Sequence, residues 1–109
     1  MKQYLILLKG KKELDYSPEE LQKRLEDYRK WAFDLGDKYV IGQRLEQKGA
    51  HFKSKDSIAT DGPFLEAKEI IAGYVIITAE SMEEAMEITK TLPLIDNFEA
   101  FLRPLISPD

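Results

Sequence analysis

His51 is the single histidine of this 109-residue chain, and it precedes Asp61 by ten positions in the stretch HFKSKDSIATDGPFLEAKE. An imidazole oriented by a carboxylate is held in one tautomer and made more basic, which is what a general base needs. If the strand carrying His51 pairs with the segment leading to Asp61, the two side chains meet across a hairpin. Directly behind Asp61 stand Gly62, Pro63 and Phe64, then Glu66, Lys68 and Glu69. Pro63 fixes its own φ and restricts Gly62, while Phe64 can anchor the loop by burial. A turn this stiff can aim a carboxylate and an ammonium into a cleft. The candidate catalytic residues are therefore Asp61 and His51. The candidate ligand contacts are Phe64, Glu66, Lys68 and Glu69.

The same residues admit a plainer role. Asp61 can accept hydrogen bonds from the backbone just ahead of it in an Asx-type turn. Glu66, Lys68 and Glu69 then form a solvated ion-pair set of small energetic value, and His51 in GAHFKSK sits in a surface loop. Other chemistries find less footing. One histidine and no cysteine leave no metal-ligand spacing, disulfide or thiolate. The glycines are scattered singly, so no phosphate-cradling loop is expected and no cofactor is implied. Ser17 and Ser81 are accounted for as helix caps, which removes the obvious serine nucleophiles.

The charge balance, 16 basic against 20 acidic residues, includes no basic stripe, which argues against nucleic acid as a partner. The apolar run YLILL is too short for an export signal, and nothing approaches the length of a membrane span. A cytoplasmic protein with no membrane partner is expected. At 43% hydrophobic residues, 109 positions suit a single domain, residues 1–109, with a real core.

The elements that must position these residues follow from local patterning. QYLILL (3–8) reads as a strand ended by Gly10. SPEEL opens a helix, with Ser17 as cap, Pro18 in the first turn and Glu20 completing a capping box. Leu21, Leu25, Tyr28, Ala32 and Leu35 recur at helical spacing up to Gly36, and Trp31 flanks that stripe as a packing residue. KYVIGQRLEQ reads as a strand in which Gly42 marks a bulge or a close backbone approach, and Ser57–Thr60 is expected to pair with it. Ile70–Thr78 is the clearest strand. SMEEA repeats the capping device with Ser81 and Glu84, and its helix should run to about Leu92 before Pro93. NFEAFLRPL supplies a last strand.

This order predicts an α+β, ferredoxin-like βαββαβ sheet with two helices on one face. The central strands are QYLILL and Ile70–Thr78, both nearly continuous in apolar residues. Helices cover only one face, so a second apolar face asks for a second layer. A second copy of the chain supplies it most simply, and a homodimer is expected.

ATDGPFLEAKE followed by AGYVIITAESMEEAMEI resembles the YCII-related family, in the branch named for its Asp-Gly-Pro-Phe motif. That branch follows the quartet with a Glu, a Lys and a Glu, matched by Glu66, Lys68 and Glu69, then a glycine and an aromatic, matched by Gly73 and Tyr74. A capped acidic helix follows, and the last strand ends in Arg-Pro, matched by Arg103 and Pro104. The match is specific from about Thr60 to Ala85 and generic over the first 50 residues. It implies a dimeric α+β barrel in which two ferredoxin-like sheets pack face to face. It implies no single reaction: some relatives are fused to transcription sigma factors, and a few distant ones are enzymes thought to use a His–Asp pair. An acidic residue common two positions before the Arg is replaced here by Phe101, with Glu99 on the same strand face.

Two functions stay open at this point. One is a small-molecule enzyme or ligand-binding protein using acid–base chemistry of lyase or isomerase type on a polar organic acid, centred on Asp61. The alternative is a non-catalytic regulatory or interaction module acting as a homodimer, with a bare dimer scaffold as its limiting case.

Overall fold

The computed structural model describes residues 1–10, 17–46, 49–60, 70–93 and 95–107. Strand β1 (Lys2–Gly10) leads to helix α1 (Pro18–Leu35), a 3-10 turn (Gly36–Lys38) and strand β2 (Tyr39–Arg44). Strands β3 (Ala50–Ser54) and β4 (Ser57–Thr60) come next, then β5 (Ile70–Ala79), helix α2 (Met82–Lys90), a 3-10 turn (Ile95–Asn97) and β6 (Phe98–Pro104). The main sheet has four strands in the order β2-β5-β1-β6, all antiparallel. This is the ferredoxin-like arrangement, and its two central strands are the two apolar runs.

The caps explain where the helices begin. The Glu20 amide donates to Ser17 Oγ at 3.2 Å, and the Glu84 amide donates to Ser81 Oγ at 3.1 Å. The Glu84 carboxylate accepts from the amide of Glu80, one residue before the cap, at 3.3 Å, and it also pairs with Lys38 at 3.3 Å. Gly36 ends α1 at φ 59°, a left-handed conformation that favours glycine. Helix α2 stops at Lys90, short of the expected Leu92. The Thr91 hydroxyl donates to the Ile88 carbonyl at 2.7 Å and accepts from Trp31 Nε1 at 2.8 Å. One threonine both closes α2 and ties it to α1.

Both helices lie over one sheet face. Tyr4 and Ile6 of β1 and Val75, Ile77 and Ala79 of β5 are buried there with Trp31, Ala85, Ile88 and Leu92. The opposite face carries Leu5 and Leu7 beside Ile76 and Tyr74, flanked by Ile41 and Phe101. The four central side chains are half-buried, whereas Ile41 and Phe101 are exposed. The second apolar face expected from the strand patterns is therefore present, and no described element covers it.

One pairing differs from the sequence expectation. Ser57–Thr60 does not join β2; it pairs with β3 as a separate two-stranded sheet, while β2 pairs with β5. The reason is local. Lys55 and Asp56 form a tight turn, and the Asp56 amide donates to Ser54 Oγ at 3.3 Å. The nearest strand in sequence closes first at the smallest loop entropy. His51 accordingly lies on a strand, not in a loop.

Candidate functional site

The amphipathic stripe of α1 is used unevenly. Its C-terminal part packs on the core through Trp31, Ala32 and Leu35. Its N-terminal part does not close on the sheet: Leu21 is exposed and Leu25 half-buried. Beneath them lies a cavity of about 370 Å³, within the range of small-molecule pockets. Leu8, Leu25, Val75, Leu92, Pro93 and Phe98 give it apolar walls, and Arg24, Tyr28, Gln43 and Arg44 bring polar groups.

Two irregular strands shape this space. In β2 the register with β5 slips between Tyr39 and Ile41, so Tyr39 lies opposite buried Ile77 and Gly42 opposite buried Val75. Residues an odd number apart normally face opposite sides of a sheet; the bulge puts both on the helix side. The Tyr39 and Tyr28 hydroxyls then meet at 2.8 Å directly over Gly42. A Cβ at position 42 would run into both hydroxyl oxygens. Gly42 is thus the floor that lets the tyrosine pair form. In β5 the register with β1 slips between Leu8 and Lys9, which places Ala72 as the extra residue beside the cavity. Its carbonyl accepts from the Leu45 amide at 2.8 Å. Gly73 faces Gln43 and Arg44 so closely that a Cβ would come within 2.7 Å of the Gln43 carbonyl.

Burial pushes the Tyr28 phenol well above its ordinary value, and a hydrogen bond in which Tyr28 donates to Tyr39 adds to the shift. Tyr28 therefore stays protonated, and its one proton can go to an oxygen atom in the cavity when Tyr39 becomes the donor between the two hydroxyls. The same shift has a stability consequence. A group whose folded pKa exceeds its unfolded pKa stabilises the fold fully below the unfolded value, about 10 for a phenol, and less as pH rises beyond it. Unfolding free energy should decline above about pH 10, and Tyr28→Phe should decline less steeply than the wild type in alkaline urea titrations.

The residues singled out in sequence fall on both sides of the described boundary. Asp61, Phe64, Glu66, Lys68 and Glu69 lie outside the described residues. His51 is exposed on β3, opposite Ala59, with Thr60 paired to Ala50. The described part of the chain brings no carboxylate to the His51 ring. Phe101 sits on the open sheet face beneath Lys9 Nζ, 5.7 Å from its ring centroid, away from the cavity. The tyrosine pair and Arg24 were not among the candidates. Their signal was Gly42 in a strand three positions after an aromatic, on a helix stripe that contains a second tyrosine.

A model of the YCII-related domain matches residues 2–106. The chain belongs to the YCII-related family. Among solved structures it resembles 5-chloro-2-hydroxyhydroquinone dehydrochlorinase from Burkholderia phenoliruptrix, determined in complex with 2,5-dihydroxybenzoquinone. The two share 18% identity over 95% of this chain and 93% of the other, with a TM-score of 0.53. That likeness shows that the two share a fold. No curated protein matches the sequence. Among the described residues no three His, Cys, Asp or Glu side chains gather as a metal site, and no helix is long and apolar enough to cross a membrane.

Proposed function

We propose that this YCII-related chain, of the Asp-Gly-Pro-Phe branch, is a small-molecule enzyme or ligand-binding protein whose ligand sits in the cavity beneath α1. Acid–base chemistry of lyase or isomerase type is centred on Asp61. The observation that carries this reading is where the motif joins the sheet. Glu69 is bonded to Ile70, which opens β5 opposite Gly10, and the cavity lining takes Ala72, Gly73, Leu8 and Phe98 from that same end. The described chain therefore resumes after the motif at the end of β5 that borders the ligand-sized space. Phe64, Glu66, Lys68 and Glu69 are the proposed ligand contacts, and His51 is the proposed partner of Asp61.

The lining favours a molecule with a flat apolar body and oxygen substituents. Apolar walls bury the body, while the Tyr28 hydroxyl and the arginine side chains bind the oxygens. The ligand named for the dehydrochlorinase, 2,5-dihydroxybenzoquinone, is of this kind and makes a sensible first probe. The open apolar sheet face supports a second element of the reading, that the chain acts as a homodimer; a cytoplasmic location without nucleic-acid or membrane partners is proposed from the sequence alone. That face equally supports the alternative, a non-catalytic regulatory or interaction module.

Asp61→Asn and Asp61→Ala separate turn from site. Asn keeps the side-chain acceptor and loses the charge. The Asn variant should keep the wild-type unfolding midpoint and lose about 100-fold or more in turnover or binding, the scale of a general acid–base group. The Ala variant should lose both function and some stability. An Asn variant equal to wild type in both measurements would reduce the carboxylate to turn chemistry.

A further inference from the structure

We propose that the ligand of the cavity presents an anionic oxygen group, a carboxylate or an ionised ring hydroxyl, to Tyr28 and Arg44, an inference that rests on the proposed function above. Among the described residues that line the cavity there is no Asp or Glu. The polar side chains aimed at it are donors. Arg44 of β2 stands opposite Gly73 of β5, two positions from Gly42 opposite buried Val75, so its side chain rises on the helix side of the sheet. Arg24 lies one helical turn before Tyr28 on α1, and both line the cavity. A guanidinium has five N–H donors, no acceptor and a permanent charge. The other polar residues of the lining, Gln43 and Tyr74, are paired on the opposite side of the sheet, and Gln43 Nε2 donates to the Arg44 carbonyl at 3.3 Å.

The tyrosine pair suits the same kind of oxygen. Of the two, only Tyr28 lines the cavity; Tyr39 stands behind it, its ring 6.2 Å from those of Tyr28 and Trp31 and edge-on to both. The hydroxyls, 2.8 Å apart, share one hydrogen bond. When Tyr39 donates, the Tyr28 proton is left for the ligand; when Tyr28 donates, only its lone pairs are left. The pair by itself serves either kind of oxygen.

The arginine decides between them. An anionic oxygen held by the Arg44 guanidinium draws the Tyr28 proton, whereas a ligand hydroxyl turns its own proton toward a wall of donors. Tyr39 then donates to the Tyr28 oxygen, so the bond between the pair is kept while its direction reverses. Asp61, the proposed acid–base group, acts at a different atom of the ligand in this arrangement, since a carboxylate repels an anionic oxygen.

The test is calorimetric titration of the full chain with 2,5-dihydroxybenzoate and with 2,5-dihydroxybenzamide. The amide replaces one acceptor oxygen by a donor nitrogen and removes the charge, at nearly the same shape. The wild type should bind the carboxylate about tenfold or more tightly than the amide. The net charge of −4 works against such a preference from a distance, so the preference reports local contacts. Tyr28→Phe and Arg44→Gln should each bring the two affinities toward equality. Arg44 is exposed, so its variant should keep the wild-type circular dichroism even where loss of the Tyr28 hydroxyl disturbs the tyrosine pair. Equal affinities or a preference for the amide overturn the anionic class while the cavity reading stands, as does binding of 2,5-dihydroxybenzoquinone alone. A preference that both variants leave unchanged overturns the assignment to Tyr28 and Arg44. A wild type that binds none of the three compounds overturns the proposed function and the anionic class with it.

Discussion

Ile76→Asp is expected to turn the proposed dimer into a folded monomer, weakening association by about 10³-fold. Ile76 sits at the centre of the open face, opposite Leu5 on one side and Ile41 on the other. In the lone protomer its side chain is half-buried and points away from the core of Ile6, Val75 and Ile77. A carboxylate there keeps its water in the monomer and would lose it in the proposed dimer, and neither of its strand neighbours, Leu5 and Ile41, is a cation. Two-fold symmetry doubles the penalty, because each substitution enters the same interface twice. Sedimentation should show the monomer at concentrations where the wild type is dimeric, with helix and strand content retained. A variant that stays dimeric would move the interface off this face.

The frame of the fold was legible because its signals are local and repeated. Ser17 with Glu20 and Ser81 with Glu84 mark two helix starts by residue type and spacing, and both pairs make the expected cap contacts. YLILL and YVII are apolar at every position, which only a central strand tolerates. The hairpin was less legible. A four-residue strand such as SIAT carries too little pattern to select its partner, and the turn at Lys55–Asp56 decided for β3. The tyrosine pair was legible only in part. Gly42 does mark a close approach, but what approaches is a pair of side chains, not a backbone. Pairing Tyr28 with Tyr39 required the bulge that turns Tyr39 to the helix side, and no residue type announces that slip. The cavity was invisible for a different reason. Leu21 and Leu25 have the same helical spacing as Ala32 and Leu35, and periodicity cannot tell an apolar residue that packs from one that lines a space.

Filling that space tests the functional reading with the second large effect. Leu21→Trp with Leu25→Trp places two indole rings in the cavity from a helix face that the core does not depend on, since neither leucine is buried. The unfolding midpoint should change little or rise, because filling a void adds contacts without displacing packed neighbours. Ligand affinity should fall by about 100-fold or more, since the rings occupy the volume the ligand needs.

The direct measurement is calorimetric titration of wild type and the double tryptophan variant with planar, oxygen-substituted ring compounds, 2,5-dihydroxybenzoquinone first among them. Saturable one-site binding to the wild type is expected, at least 100-fold weaker in a variant that folds normally. Wild-type affinity retained in the filled variant would contradict it, as would a wild type that binds no compound of this class.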